Sequence, residues 1–181
     1  MSKEYFDLLD EFGNKVGKIK LRNEVHRDGD WHKGVHIWVI NNDNEILLQR
    51  RCATKDSNPN MLDISSAGHL QAGDSSQDAA IRELKEELNL DVTKDELIFI
   101  KTIKNSLKYT ETFINNEFDD VYIVRTNKKI DDLKYQTEEI SEIMYVPYKK
   151  FKEMVNNKQS DLLMRDNEFR IIFDLLDKEI D

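Results

Sequence analysis

Apolar and polar positions along the chain follow two rhythms, one of period two and one of period 3.6. Residues 5–9 and 16–21 read as extended pieces, with the turn Asp10-Glu11-Phe12-Gly13-Asn14 between them, and predict an N-terminal β-hairpin. His36-Ile37-Trp38-Val39-Ile40 and Glu45-Ile46-Leu47-Leu48-Gln49 are two more β-favouring runs, split by Asn41-Asn42-Asp43-Asn44, and predict a second hairpin. Residues 51–61 are polar, contain Pro59 and lack a period, so they read as a loop entering a short strand over 62–65. From Ser75 the rhythm changes: Ala79, Ala80, Leu84 and Leu88 stand at helical spacing, with Ser75 or Ser76 as a cap and Asp78 in the first turn. Strands are predicted over 97–102, 110–114, 120–125 and 142–146, the last stopped by Pro147. A helix over 148–155 follows, and Phe169, Ile172, Phe173, Leu176 and Ile180 form the apolar stripe of a C-terminal helix docked on the body. Strands interleaved irregularly with few helices imply a mixed sheet flanked by helices, not a doubly wound parallel sheet.

Composition narrows the partners. The chain has 181 residues, 39% of them apolar and 35% charged, enough for one domain with a core of its own. Its net charge of -9 is the wrong sign for unselective attraction to nucleic acid or an anionic membrane surface. No stretch approaches the ~18 apolar residues that span a bilayer. The single cysteine, Cys52, excludes an internal disulfide and a multi-cysteine zinc site and suits a reducing compartment, the cytoplasm. Exposed strands near the N-terminus and the C-terminal helix leave a homodimer open.

The chemistry concentrates in Ala67-Gly68-His69-Leu70-Gln71-Ala72-Gly73-Asp74 and the helix after it, which carries Arg82-Glu83-Leu84-Lys85-Glu86-Glu87. Glu83 and Glu87 share a helical face and Glu86 lies one row away. Like charges at this spacing repel by a few tenths of a kcal/mol per pair, so a cation is expected beside them. Mg²⁺ takes oxygen ligands and binds through a few carboxylates together with substrate phosphates. The glycines before the helix let backbone approach closely and aim a carbonyl, such as that of Ala67, at the same ion.

These residues resemble the Nudix box, G-x5-E-x7-R-E-U-x-E-E-x-G-U with U a bulky aliphatic residue, through Gly68, Arg82, Glu83, Leu84, Glu86, Glu87 and Leu90. Asp74 stands where the family has Glu, and Asn89 where it has Gly; Asn is the next-best residue for a left-handed helix end. The resemblance implies an α/β fold, the Nudix-type α/β/α sandwich with a mixed β-sheet, here with an N-terminal β-hairpin extension. It divides the chain into an extension over 1–30, a core over 31–150 containing the box at 68–90, and a helical segment over 151–181. It also implies Mg²⁺ or Mn²⁺ held by Glu83, Glu86, Glu87 and the Ala67 carbonyl, with Arg82 orienting a glutamate. The expected reaction is attack of water on a diphosphate, splitting a phosphoanhydride of a nucleoside diphosphate derivative or other small organic diphosphate. Glu83 is the first candidate for the base, Glu86 a further catalytic carboxylate, and Glu117, Asp119 and Asp120 are candidates from outside the box.

Beyond the box the chain is similar to the branch containing type 1 isopentenyl-diphosphate isomerase, in Asp7-Leu8-Leu9-Asp10, in Glu24-Val25-His26-Arg27 before His32, and in Leu48-Gln49-Arg50-Arg51 before Lys55. Those isomerases use a cysteine immediately before the Gly-His pair, and here that position is Ala67. Cys52 reads as a small semi-buried side chain, not a substitute. The branch also implies a second metal centre from His26, His32, His69, Glu117 and Asp119. Bland readings make His32 and His36 strand-edge residues and His26 a loop residue. Arg50, Arg51, Lys55, Gly68 and His69 are the candidates for contact with the phosphates. Trp38 reads as core, whereas Trp31 is open to either role. An isomerase, or a sensor that binds a diphosphate without cleaving it, are the alternative functions.

Overall fold

The computed structural model describes residues 3–180. Strands β1 (Tyr5–Leu9) and β2 (Lys15–Leu21) form the N-terminal hairpin, and helix α1 (Arg22–Asp28) leads to β3 (Trp31–Asn41) and β4 (Glu45–Arg51). Short β5 (Leu62–Asp63) and β6 (Ser66–His69) precede helix α2 (Ser76–Leu88). A long hairpin of β7 (Ile98–Thr110) and β8 (Phe113–Thr126) is followed by β9 (Ile140–Pro147), α3 (Tyr148–Asn156) and α4 (Asp166–Ile180).

The sheet is organised around β3. One edge of β3 runs parallel to β8 from Trp31↔Asn116 to Asn41↔Thr126. The other edge meets β1 at Leu9↔Trp31, β6 over Gly34↔His69 to Ile37↔Ser66, and β4 at Ile40↔Ile46, all antiparallel. β4 continues to β5 on one side and β9 on the other, so the sheet is mixed as expected.

Alternate β3 side chains serve opposite layers, as the two-residue period of a strand requires. Val35, Ile37 and Val39 pack with Ala79, Ala80, Leu84 and Leu88 of α2. Trp38 and Ile40 pack with Phe151 of α3 and Phe169, Ile172 and Leu176 of α4. The result is the three-layer α/β/α sandwich. Truncating one such buried Leu typically costs about 2–5 kcal/mol. Ser75 caps α2 by accepting from the Asp78 N–H at 3.2 Å. Asn89 closes it at φ 51°, in the left-handed region anticipated for that position.

Three local expectations are corrected. Residues 22–28 form a helix that the sequence does not announce, because its buried residues, Val25 and His26, are too few to set a helical rhythm; Gly29 ends it at φ 69°. Residues 110–114 are not one strand: Glu111 and Thr112 are the turn of the β7–β8 hairpin. Most of β7 is exposed at a sheet edge, and the strand expected over 97–102 continues to Thr110. The expected strand over 62–65 stops at Asp63, and Ser66–His69, read as loop, is a sheet strand. Among the described residues no helix is long and apolar enough to cross a membrane.

Candidate active site

Helix α2 lays its acidic face against the backbone of β6. An ideal Cβ on Gly68 would stand 2.1 Å from Glu83 Cδ, so only glycine allows this approach. Arg82 donates from Nη1 to Glu83 Oε1 at 2.7 Å and from Nη2 to the His69 carbonyl at 2.8 Å, with Glu86 at 3.4 Å and Asp74 at 3.7 Å. It thereby ties the first glutamate of the cluster to the strand. Burial raises the pKa of Glu83 and Arg82 opposes that rise. Glu87 is buried and accepts from Ser66 Oγ at 2.6 Å and Gln49 Nε2 at 3.4 Å. Burial, reinforced by the charge of Glu83, pushes its pKa up to about 7. Ala67, Glu83, Glu86 and Glu87 line one cavity of about 1500 Å³. Glu83 and Glu87, whose burial disfavours their own charge, with the exposed Glu86 beside them, form a donor set that suits a hard divalent cation.

A second cluster opens on the same cavity. His26 of α1, His32 of β3 and His69 of β6 place one ring nitrogen each within 4.8 Å of the others. Glu117 of β8 joins them, its Oε1 2.9 Å from His69 Nε2 and 3.4 Å from His32 Nε2. His32 donates from Nδ1 to the Asp30 carbonyl at 3.0 Å, which turns Nε2 toward the cluster. His26 Nε2 and His32 Nε2 are buried without a hydrogen-bond partner. Phe6 stacks on His32 and His69, and Phe113 on His26. Burial, then the neighbouring His69 and His32, push His26 down to about 3 and keep it neutral. Three imidazoles beside a carboxylate, two of them with an Nε2 that has no hydrogen-bond partner, fit a divalent cation of the Zn²⁺ or Mn²⁺ type.

Asp119 follows Glu117 on the same face of β8 but turns toward His36, 3.7 Å away, and Asn105, which donates at 2.6 Å. Gly34 makes room for it, since a Cβ there would meet Asp119 Oδ1 at 2.3 Å. Burial, with Glu117 adding to it, raises its pKa to about 6. Asp120 points the other way, to Thr102 at 2.6 Å and Lys33 at 2.7 Å, and is not among the residues lining the cavity.

Of the basic candidates, Arg51 and Lys55 line the cavity and Arg50 does not. Neighbouring residues of β4 face opposite ways, and Arg50 is taken by Glu142 at 3.2 Å, Asp161 at 3.1 Å and the Asn60 carbonyl at 2.9 Å. Burial lowers the pKa of Lys55, which pairs with Glu139. Sequence reasoning missed Arg22, which lines the cavity from α1 and whose charge acts on Lys55, His26 and His69. It also missed a buried network behind the cavity. There His36 Nδ1 and Trp38 Nε1 each donate to Glu168 of α4 at 2.7 Å, while Arg165 holds Asp63 with two hydrogen bonds at 2.9 and 3.1 Å. Gly34 was one available signal, a glycine inside a strand that marks a close approach. Trp38 is core, as expected, and Cys52 does not line the cavity.

The profile of the NUDIX domain matches residues 30–166. The chain belongs to the Nudix family. It is 41% identical over 183 residues to Nudix hydrolase 3 of Arabidopsis thaliana, covering 97% of this chain but 24% of that protein. This Nudix chain therefore spans about a quarter of that relative's length. An uncharacterised Nudix hydrolase of Clostridium acetobutylicum is 35% identical, with 87% of this chain and 77% of that protein covered. Isopentenyl-diphosphate Delta-isomerase 2 of Photorhabdus laumondii is 30% identical, with 85% and 83% covered, in keeping with the similarity to that branch. The crystal structure of DR0079 from Deinococcus radiodurans superposes with a TM-score of 0.68 at 22% identity, over 93% of this chain and 97% of that one, and shares the Nudix fold.

Proposed function

We propose that this Nudix protein is a metal-dependent pyrophosphohydrolase of a nucleoside diphosphate derivative or another small organic diphosphate. The observation that carries the reading is Glu87, a buried carboxylate beside Glu83 with its pKa pushed up to about 7, in a wall shared with Glu86 and Ala67. Glu83, Glu86, Glu87 and the Ala67 carbonyl would hold Mg²⁺ or Mn²⁺, and His26, His32, His69 and Glu117, with Asp119 next to them, would hold a second cation. A divalent ion supplies neutralisation of charge on the phosphate oxygens and makes water easier to deprotonate.

The chain's own residues do the rest. Arg22, Arg51 and Lys55 attract the phosphates, and Gly68 and His69 border them. Arg82 fixes Glu83, a carboxylate whose proton affinity burial raises, as the base. Water adds to one phosphorus, the bridging P–O bond breaks with its electron pair leaving on the departing phosphate, and Glu83 accepts the proton of the water. The isomerase reading is favoured by the histidine cluster and by the isomerase relative, and opposed by Ala67 at the place of the reactive thiol.

The test is a panel of diphosphates with Mg²⁺ or Mn²⁺, comparing wild type with Glu83→Gln and Glu87→Gln. Loss of hydrolysis in both supports the proposal, and turnover that survives both overturns it. Interconversion of isopentenyl and dimethylallyl diphosphate by the wild type would establish the isomerase instead. Binding without any turnover would establish a sensor.

A further inference from the structure

Asp63 is fully buried, yet it is shared by two guanidinium groups that both reach the cavity. Arg165, just before α4, binds it at two points, Nε to Oδ1 at 2.9 Å and Nη2 to Oδ2 at 3.1 Å. Arg51, at the end of β4, reaches the same Oδ2 from Nη1 at the longer distance of 3.3 Å. The opposite edge of Arg51 grips the Ser57 carbonyl, from Nε at 3.2 Å and Nη2 at 3.0 Å. Arg51 is thus held in a fixed plane between a loop carbonyl and a carboxylate that Arg165 already occupies. Burial pushes Asp63 up, but Arg165 and then Arg51 hold it below the usual carboxylate range, so it stays ionised between them.

An ionised, fully buried carboxylate takes whatever cation is within reach, because a buried charge without a partner is strongly unfavourable. While Arg165 satisfies Asp63 with two hydrogen bonds, Arg51 gives it a single Nη1–H; with Nε and Nη2 engaged by Ser57, the second Nη1–H remains for the cavity. Without Arg165, the whole demand of Asp63 falls on Arg51 and draws it toward β5.

We propose that Arg165 is a positioning residue for diphosphate binding: by occupying Asp63 it keeps the Arg51 guanidinium turned toward the phosphates, so the segment leading into the C-terminal helix is part of the substrate site. This rests on the assignment of Arg51 to the phosphates made above. It differs from a staple role, in which Arg165 only fastens α4 to the sheet, because a staple leaves ligand affinity at folded sites unchanged.

The experiment is a double-mutant cycle on the full chain, reading the dissociation constant of imidodiphosphate, a diphosphate mimic with a non-cleavable P–N–P link, by calorimetry in magnesium buffer. Arg51→Met is expected to weaken binding about tenfold or more, as for loss of a charge-assisted contact. Arg165→Met is expected to weaken it about three- to tenfold, Arg165→Lys to recover part of the loss, and the double variant to match Arg51→Met alone. Losses that multiply in the double variant, or unchanged affinity in a folded Arg165→Met, overturn the inference while the role of Arg51 stands. Unchanged affinity in Arg51→Met overturns that role and the inference with it. The readout needs no turnover, so a failure of the hydrolase assignment is seen separately in the panel assay.

Discussion

Glu83 presses its carboxylate against the one β6 residue that has no side chain, Gly68, where a Cβ would stand 2.1 Å from Cδ and 2.3 Å from Oε1. The close contact is with the far end of a flexible side chain, not with backbone, so Gly68→Ala is expected to fold and to move Glu83 aside. A displacement of that kind at a reacting group costs about 10²-fold in rate. Gly68→Ala should therefore lose about two orders of magnitude in kcat with an unaltered far-ultraviolet circular dichroism spectrum. Near-wild-type kcat in the folded variant would remove Glu83 from the proposed chemistry.

What the chain discloses in advance depends on whether the structure repeats at a short period. Ala79, Ala80, Leu84 and Leu88 announce α2, Asn89 its left-handed end, and the β3 alternation the two layers that sandwich the sheet. Nothing periodic announces α1, which buries little beyond Val25 and His26, and of the exposed edge strand β7 only the first part, within 97–102, is legible. Which of the neighbours Arg50 and Arg51 meets the cavity is decided by the facing of a strand end, and one residue of register reverses it. The pairing of Asp63 with Arg165 joins residues 102 apart in the chain, a distance over which composition and spacing carry no information.

Glu87 makes metal-free stability depend on pH. Its folded pKa of about 7 lies above the ordinary glutamate value of 4.5, so its carboxyl holds a proton in the folded protein where the unfolded chain has lost it. The stability this provides is complete below pH 4.5 and is lost as pH rises through 7. At pH 8 ionised Glu87 costs the fold up to about 3 kcal/mol. After chelation, Glu87→Gln should melt several degrees above wild type at pH 8 and converge with it near pH 5. Equal melting temperatures at pH 8 would mean that the carboxylate is not under strain.

His26 acts on the acid side with the opposite sign. Its pKa is lowered from 6.5 to about 3, so between those values the unfolded chain binds a proton that the folded protein refuses. Metal-free stability should hold above pH 6.5 and decline as pH falls toward 3, and His26→Asn should flatten that decline. The same variant should lose most of the rise in melting temperature that saturating Mn²⁺ gives the wild type at pH 7.5, since a cation that binds only the folded site stabilises by mass action. An undiminished manganese shift in His26→Asn would take His26 out of the cation site.

Two glutamates of α4 separate burial from mere pairing. Glu168 is 2% exposed and receives the Trp38 indole and the His36 imidazole at 2.7 Å each, whereas Glu179 sits at the surface against Arg125. Removing Glu168 leaves two buried donors from β3, His36 Nδ1 and Trp38 Nε1, without their acceptor. The penalty for breaking such a buried charged network is about 3–5 kcal/mol. An exposed pair contributes about 0–1 kcal/mol. Urea unfolding should show Glu168→Ala falling by several kcal/mol and Glu179→Ala by less than about one. Because His36 also lies 3.7 Å from Asp119, Glu168→Gln, which keeps the volume but can accept only one of the two donors, should cost an intermediate amount and loosen the cavity wall as well. Comparable losses at Glu168 and Glu179 would show that α4 is held by its apolar stripe alone, through Phe169, Ile172 and Leu176, and that the polar network behind the cavity adds nothing to its docking.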